Sequence, residues 1–201
     1  MVLMGRRSGK SSDLIESYAF CKDITKAAST SFLRSFRHLP LEKRNAVYAL
    51  YAFCRRVDDI ADGDWLPDLT GVSPEAMDEL DARTADRSLI LSMDKQSEGS
   101  NSEPDHSLKL RALIHYRDML ERAHDGSSVS GPIFVALKDT FTRFPIRVSD
   151  LHQLIDGMED DLYPTNYRSF EDLRGYCYKV ASTVGLALIE IYGYDNPDAR
   201  E

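Results

Sequence analysis

The sequence predicts an all-α fold. Apolar residues recur at steps of three and four over long stretches, which is the spacing of one face of an α-helix. After Pro40, for example, Val47, Leu50, Cys54 and Val57 follow this spacing. Runs of Val, Ile and Thr that alternate strictly with polar residues, as a half-buried strand requires, are absent from the sequence. Proline, glycine and polar segments separate the periodic stretches, so the chain divides into several helices.

The predicted helices follow one another with short breaks. The first covers 17–36 with an interruption near 29–31, and Leu39-Pro40 ends it because proline cannot continue the helical hydrogen-bond ladder. The second begins after Pro40 and ends at Gly63, a residue suited to a helix C-cap. The remaining helices are predicted at about 75–93, 108–123, 133–144, 148–161 and 172–192.

Composition indicates one domain with two irregular parts. Residues 1–12 are basic and rich in serine, and we expect a disordered tail there. The polar segment KQSEGSNSEPDH at 95–106 shows no apolar periodicity and is expected to form an exposed loop. Neither side of this loop looks self-sufficient, so residues 13–201 are predicted to form a single domain.

Charge and motif content exclude several classes of function. The net charge of −8 argues against a general nucleic-acid binder, which needs basic patches for phosphates. No apolar run reaches the roughly 18 residues of a membrane span, and no secretory leader is visible, so we expect a cytoplasmic protein that leaves peripheral membrane contact open. Cys21, Cys54 and Cys177 form no CxxC pair and are expected to be buried.

One face of the second helix carries a distinctive polar stripe. Asp58 and Asp62 are four residues apart, Arg55 precedes Asp58 by three, and Tyr51 precedes Arg55 by four. Two carboxylates at this spacing repel unless a cation lies between them, and Mg²⁺ binds one or two carboxylates together with waters and substrate phosphates. Arg55 could hold a further phosphate oxygen. The alternative is a solvated acidic helix end, although the apolar surroundings favour a functional site.

A second acidic cluster, DGMEDD, occupies 156–161. Asp156 and Asp160 form another pair four residues apart, which would suit a second metal site. A charged helix end before the turn at Tyr163-Pro164 explains Asp156, Glu159 and Asp160 equally well, and the sequence does not choose between the two.

Taken together, these segments resemble the squalene and phytoene synthase family. The N-terminal likeness consists of STSFLRSF at 29–36, Leu39-Pro40 and RNAVYALYAFCRRVDDIAD at 44–62. The middle likeness consists of DGMEDDL at 156–162 and YCYKVASTVG at 176–185. The resemblance covers roughly 17–194, with the motifs in order.

The resemblance implies the all-helical isoprenoid synthase fold with a central cavity. Such enzymes join two prenyl diphosphates, farnesyl or geranylgeranyl, head to head through a cyclopropyl diphosphate, and they use Mg²⁺. The product could be squalene, dehydrosqualene or phytoene, and NADPH is implied only for squalene.

The resemblance also assigns roles to individual residues. Asp58 and Asp62 match the first aspartate-rich, metal-binding motif, and Arg55 matches a diphosphate-binding arginine. Tyr176 matches a tyrosine near the reacting carbons, and Asp161 matches a carboxylate of the middle segment. Hydroxyls that contact diphosphate are matched by Ser29 and Ser31, and positions that line the prenyl tunnel by Phe32, Phe36, Tyr51, Val180 and Val184. These apolar residues would also suit any helical core.

The sequence departs from the family after Tyr192, where only nine residues remain. The family normally continues with a helix that carries a second DxxxD motif. We therefore expect an incomplete domain without its C-terminal helices, either a fragment, a truncated gene product or a subunit that needs a complementing chain. The alternative function is a catalytically inactive remnant, or a helical module that binds prenyl diphosphate or a partner.

Overall fold

The computed structural model describes residues 7–28, 30–94, 104–163 and 166–200. Within these ranges the regular structure consists of nine α-helices, one π-helical turn and one 3₁₀ turn, so the all-α prediction is confirmed there. The helices are α1 (Arg7–Ala28), α2 (Thr30–Phe36), α3 (Leu41–Asp62), α4 (Pro74–Asp94), α5 (Pro104–His124), α6 (Pro132–Arg143), α7 (Val148–Asp161), α8 (Phe170–Cys177) and α9 (Thr183–Tyr192). The π turn covers Tyr178–Ser182 and the 3₁₀ turn Pro197–Arg200.

Most predicted helix limits lie close to the observed ones. The break near 29–31 is confirmed, because α1 ends at Ala28 and α2 begins at Thr30. Gly63 is also confirmed as the end of α3: its φ is 85°, and its N–H bonds to the carbonyl of Asp59 at 3.0 Å. Glycine suits this left-handed position because it has no Cβ to clash with the backbone.

The predicted helix at 172–192 is instead three elements. The helix is interrupted after Cys177 by the π turn, in which the N–H of Thr183 reaches back five residues to the carbonyl of Tyr178. A π turn accommodates one extra residue without breaking the helix, and such turns are frequent at functional sites. No proline or glycine marks the position of this interruption, so helical periodicity alone cannot reveal it.

The two irregular segments lie partly outside the described residues. Residues 1–6 of the predicted tail and 95–103 of the predicted loop are among those that the structure does not describe. Helix α1 begins at Arg7, inside the predicted tail, and α5 begins at Pro104, inside the predicted loop. A helix can extend through polar residues without an apolar face, and proline is favoured in a first helical turn.

Two further sequence expectations can be compared with the structure. Cys21 is buried, and burial raises the pKa of its thiol to about 12. Cys177 is exposed, so the expectation that it is buried was wrong, because α8 has no buried residue. None of the helices in the described part of the chain combines the length and apolar character that crossing a bilayer demands.

The chain divides into two compact units. The first comprises Met1–Arg55, Met119–Val148 and Gly185–Glu201, and the second comprises Arg56–Asp118 and Ser149–Val184. The predicted single domain at 13–201 stays a prediction.

In the first unit, a polar network joins α1, α3 and α6. The hydroxyl of Tyr18 donates to Asp139 Oδ2 at 2.7 Å, and Arg143 Nε donates to the same oxygen at 2.7 Å. Arg143 Nη1 also reaches Glu42 Oε1 at 3.0 Å. Because α1 and α3 each supply a partner to α6, the network fixes how the three helices meet.

In the second unit, a buried carboxylate joins α4, α5 and α7. Glu159 is fully buried, and its two oxygens face two guanidinium groups. Arg87 Nε of α4 donates to Glu159 Oε2 at 2.7 Å, and Arg117 Nη2 of α5 donates to Oε1 at 3.0 Å. Arg117 Nη2 also donates to Asp156 Oδ1 at 2.7 Å, which brings a second carboxylate of α7 into the cluster. A buried charge is tolerated only when it is paired in this way.

A further contact of α7 involves a glycine. A Cβ at Gly157 would lie 2.6 Å from Val180 Cγ1 and 3.2 Å from Lys179 Cβ. The π turn therefore packs against α7 at a distance that only glycine allows.

We expect Gly157→Ala to lower the free energy of unfolding by about 1–3 kcal/mol, because the new methyl group overlaps Val180. Urea unfolding followed by far-UV circular dichroism measures this change. Gly175→Ala is the matched control: nothing lies within 4 Å of a Cβ there, so alanine should stabilise α8 by about 0.5–1 kcal/mol. Adding Val180→Ala to Gly157→Ala should restore part of the loss. A Gly157→Ala protein as stable as the wild type would contradict the close contact.

We expect Glu159→Gln to lower the free energy of unfolding by about 3 kcal/mol, near the lower end for breaking a buried ion pair, since Arg87 and Arg117 keep some exposure. The same urea titration measures it. Glu171→Gln removes an exposed pair with Arg174 and should cost less than about 1 kcal/mol. If Glu159→Gln and Glu171→Gln lowered the free energy of unfolding equally, the buried cluster would not stabilise the protein more than an exposed ion pair does.

Candidate active site

Helix α3 has one buried face and one accessible face. Phe53, Val57 and Ile60 are fully buried, as are most of the apolar residues on their side of the helix. Hydrophobic burial of this side fixes which way the helix faces. The predicted stripe lies on the other side, where Tyr51, Arg55 and Asp58 are half-buried and Asp62 is exposed. One continuous helix thus carries all four predicted residues at the expected spacing.

The donor chemistry of Asp58 and Asp62 fits Mg²⁺. Among the described residues, no group of three or more His, Cys, Asp or Glu side chains is arranged to hold a metal ion. A pair of carboxylates is nevertheless a suitable partial set for Mg²⁺, which keeps several waters and takes further oxygens from substrate phosphates. Asp58 and Asp62 lie about one turn apart on the accessible face of α3, so the helix fixes the spacing of their side chains. Their carboxylate oxygens are hard donors of the kind that Mg²⁺ prefers.

Asp59 has a different role from its neighbour. Its side chain is buried and accepts a hydrogen bond from Arg56 Nη1 at 2.8 Å. The guanidinium of Arg56 also lies over the ring of Trp65, 4.6 Å from its centroid, and Trp65 meets Tyr116 edge to face at 6.0 Å. Sequence reasoning did not identify this cluster, although the three-residue spacing of Arg56 and Asp59 was a signal for it. It stabilises the end of α3 and leaves Asp58 on the accessible face.

The acidic cluster of α7 is paired with basic groups. Asp156 pairs with Arg117, and Asp160 Oδ2 accepts from Lys179 Nζ at 2.8 Å. These ion pairs favour the charged-helix interpretation of Asp156 and Asp160 over a second metal site. Arg87 and Arg117 were not predicted, since they are distant in sequence from the acids they bind.

Tyr176 and Asp161, predicted from the resemblance alone, lie together. The Tyr176 hydroxyl donates to Asp161 Oδ2 at 3.0 Å. Burial raises the pKa of Tyr176 above its ordinary value, and the hydrogen bond and charge of Asp161 raise it further. Tyr176 therefore remains a neutral donor at physiological pH. The ring of Tyr167, which was not predicted, lies against Tyr176 with 5.3 Å between the centroids.

Only some of the remaining predicted residues lie in contact with one another. Phe36 is buried and meets Tyr51 at 6.5 Å and Tyr48 at 6.2 Å, both edge to face. Val180 and Val184 are half-buried, and Ser31 is exposed at the start of α2. Ser29 and the side chain of Phe32 lie outside the described residues. The structure thus brings together Phe36 with Tyr51 and Asp161 with Tyr176, while the roles of all these residues stay predictions.

Comparison with known proteins agrees with the resemblance. The family model for squalene/phytoene synthase matches residues 25–201. A phytoene synthase of Arthrospira platensis is 30% identical over 183 residues, which cover 91% of this chain and 46% of the relative. Phytoene synthase 1 of Arabidopsis thaliana, a chloroplastic protein, is 31% identical over 190 residues, covering 93% of this chain and 35% of the relative.

Solved structures show the same relationship. A dehydrosqualene synthase crystallised with a ligand is 26% identical, with a TM-score of 0.63 over 90% of this chain and 49% of its own. The squalene synthase HpnC from Alicyclobacillus acidocaldarius is 23% identical, with a TM-score of 0.65 over 93% of this chain and 55% of its own, and supports the fold alone. The predicted isoprenoid synthase fold class is confirmed.

The matches cover nearly all of this chain but only part of each relative. This chain spans about half the length of the first curated relatives that it matches. The family match, in contrast, takes in nearly all of this chain, from residue 25 onward. The chain belongs to the squalene/phytoene synthase family.

Proposed function

We propose that this chain supplies the first part of a catalytic site that joins two prenyl diphosphates head to head. The observation that carries the proposal is the accessible stripe of α3, in which Arg55, Asp58 and Asp62 share one face of a helix sealed on its other side. Family membership supports the reaction class, and the names of the relatives, phytoene and dehydrosqualene synthases, support its product type.

In this proposal the charged residues bind the diphosphate end of the substrate. Asp58 and Asp62 hold Mg²⁺ on the accessible face, and Arg55 donates to a diphosphate oxygen from one turn before Asp58. When bound there, Mg²⁺ would supply positive charge that stabilises the departing diphosphate. Ser29 and Ser31 add hydroxyl donors to the same group.

The aromatic and apolar residues act on the hydrocarbon end. Phe32, Phe36, Tyr51, Val180 and Val184 line the prenyl tunnel in this proposal and exclude water from the allylic cation, which would otherwise be captured as an alcohol. Aromatic faces tolerate such a cation because the ring quadrupole is negative above its plane.

Tyr176 has a more specific place near the reacting carbons. Its O–H is occupied in donating to Asp161, so in this proposal the hydroxyl oxygen acts on the cation through its lone pairs. The first product in this proposal is a cyclopropyl diphosphate, whose onward reaction yields dehydrosqualene or phytoene, or squalene where NADPH supplies hydride.

A second candidate is binding of prenyl diphosphate without turnover. The second candidate rests on a single pair of carboxylates, Asp58 and Asp62. In α7, by contrast, Asp156, Glu159 and Asp160 form ion pairs with Arg117, Arg87 and Lys179. One carboxylate pair with an arginine is sufficient chemistry to bind a metal diphosphate, whereas ionising the substrate places a greater demand on charge stabilisation.

We expect Asp58→Asn and Asp62→Asn each to weaken Mg²⁺-dependent binding of a non-hydrolysable farnesyl diphosphate analogue by about tenfold or more, because each removes a charged metal ligand. Isothermal titration with Mg²⁺, and again with EDTA, measures the effect. Asp64→Asn is the matched control, since Asp64 is exposed just beyond the end of α3 and outside the stripe. Equal affinities of the Asp58 and Asp64 variants would overturn the assigned role.

A diphosphate-release assay on the same 201-residue chain separates the two candidates. Mg²⁺-dependent release that Asp58→Asn abolishes supports the synthase. Binding without release supports the second candidate, and the absence of both contradicts each of them.

A further inference from the structure

Tyr167 occupies a well-defined position between α7 and α8. It lies two residues before Ser169, the N-cap of α8. Ser169 Oγ accepts from the Asp172 N–H at 3.1 Å, and Asp172 Oδ2 accepts from the Ser169 N–H at 3.0 Å. This reciprocal capping box satisfies two backbone donors at once and holds the chain that enters the helix. The backbone near Tyr167 is thus restrained by local hydrogen bonds.

The ring of Tyr167 contacts Tyr176, in the last turn of α8. Their centroids are 5.3 Å apart and their planes are inclined by 35°, within the range of attractive aromatic pairs. On its other end, the Tyr176 hydroxyl donates to Asp161 of α7 at 3.0 Å. Tyr176 is therefore held both at its ring face and at its hydroxyl, and the two holding groups come from different segments.

The carboxylates of Asp160 and Asp161 influence Tyr167 electrostatically. Burial raises the pKa of Tyr167, and the charges of Asp161 and Asp160 raise it further, so its side chain stays neutral at physiological pH. Lys179 pairs with Asp160 at 2.8 Å and fixes the start of the π turn beside Tyr176. Tyr167 is 36% exposed, whereas Phe170, three residues later, is 78% exposed.

We propose that Tyr167 is a positioning residue: its ring fixes the orientation of Tyr176, and so the direction from which Tyr176 donates to Asp161. Without this contact the phenol of Tyr176, in a helix with no buried residue, would be free to adopt other rotamers. The consequence for catalysis rests on the proposed function, whereas the orientation of Tyr176 can be measured independently of it.

The first test is spectroscopic. Protein with isotopically labelled tyrosine gives ring signals for Tyr176, which Tyr176→Phe identifies by their disappearance. Tyr167→Leu should move the Tyr176 signals, because the ring current of Tyr167 is lost, and Tyr167→Phe should leave them nearly unchanged. Phe170→Leu is the matched control, because it removes an exposed ring from α8, the helix that carries Tyr176. Unchanged Tyr176 signals in Tyr167→Leu would overturn the proposal.

The second test is kinetic and uses the same variants. Tyr167→Leu should lower kcat about ten- to a hundredfold with little change in KM, since misplacing a reacting group slows the chemical step more than binding. Tyr167→Phe should retain kcat, because the ring and not the hydroxyl does the positioning. Loss of activity in Tyr167→Phe as well would count against positioning.

The two tests separate failure of this inference from failure of the proposed function. If the wild-type chain releases no diphosphate, the proposed turnover fails, and the ring signals alone decide whether Tyr167 orients Tyr176. If the wild type is active and Tyr167→Leu matches it in kcat, the positioning role fails while the proposed function stands. Tyr167→Met, which keeps a bulky side chain without a ring, replaces the leucine variant should that protein not fold.

Discussion

Glu159 is a carboxylate with no exposure to water, held between Arg87 of α4 and Arg117 of α5. Removing a carboxylate from water is unfavourable unless opposite charges and hydrogen bonds replace the lost hydration. Any shift of the last turn of α7 would separate Glu159 from one arginine and leave a buried charge without its partner. The positions of the three helices are therefore coupled, and the residues that follow Glu159 inherit a fixed location.

Two of those residues, Asp160 and Asp161, extend the constraint to the next helix. Asp160 binds Lys179 in the π turn, and Asp161 accepts from Tyr176 in α8. The acidic sequence at 156–161 thus has two sides, one that anchors α7 to arginines and one that holds α8. Gly157 allows the π turn to approach closely enough for both contacts. Since α8 buries no residue of its own, these polar contacts largely determine where Tyr176 lies.

Most features that depend on local periodicity were predicted from the sequence, whereas the contacts between distant partners were not. The stripe of α3 and the end at Gly63 follow from helical spacing and from the steric freedom of glycine, so both could be read from neighbouring residues. The partners of Glu159 could not, because Arg87 and Arg117 come from other helices and only the folded chain brings them together. Tyr167 was missed for the same reason, since its importance arises from a ring contact nine residues away.

The adjacent residues Asp58 and Asp59 show how one helix serves folding and, in the proposed function, ligand binding. Successive residues of an α-helix point about 100° apart. Asp59 therefore turns inward, where Arg56 neutralises it, while Asp58 stays on the accessible face with Asp62. Burial of the opposite side of α3 prevents the helix from rotating, so the spacing of the two outward carboxylates is set before any ligand binds. For the proposed reaction, carboxylates held this way need little rearrangement when charge develops on a departing group, which is the condition under which fixed charges contribute most to catalysis.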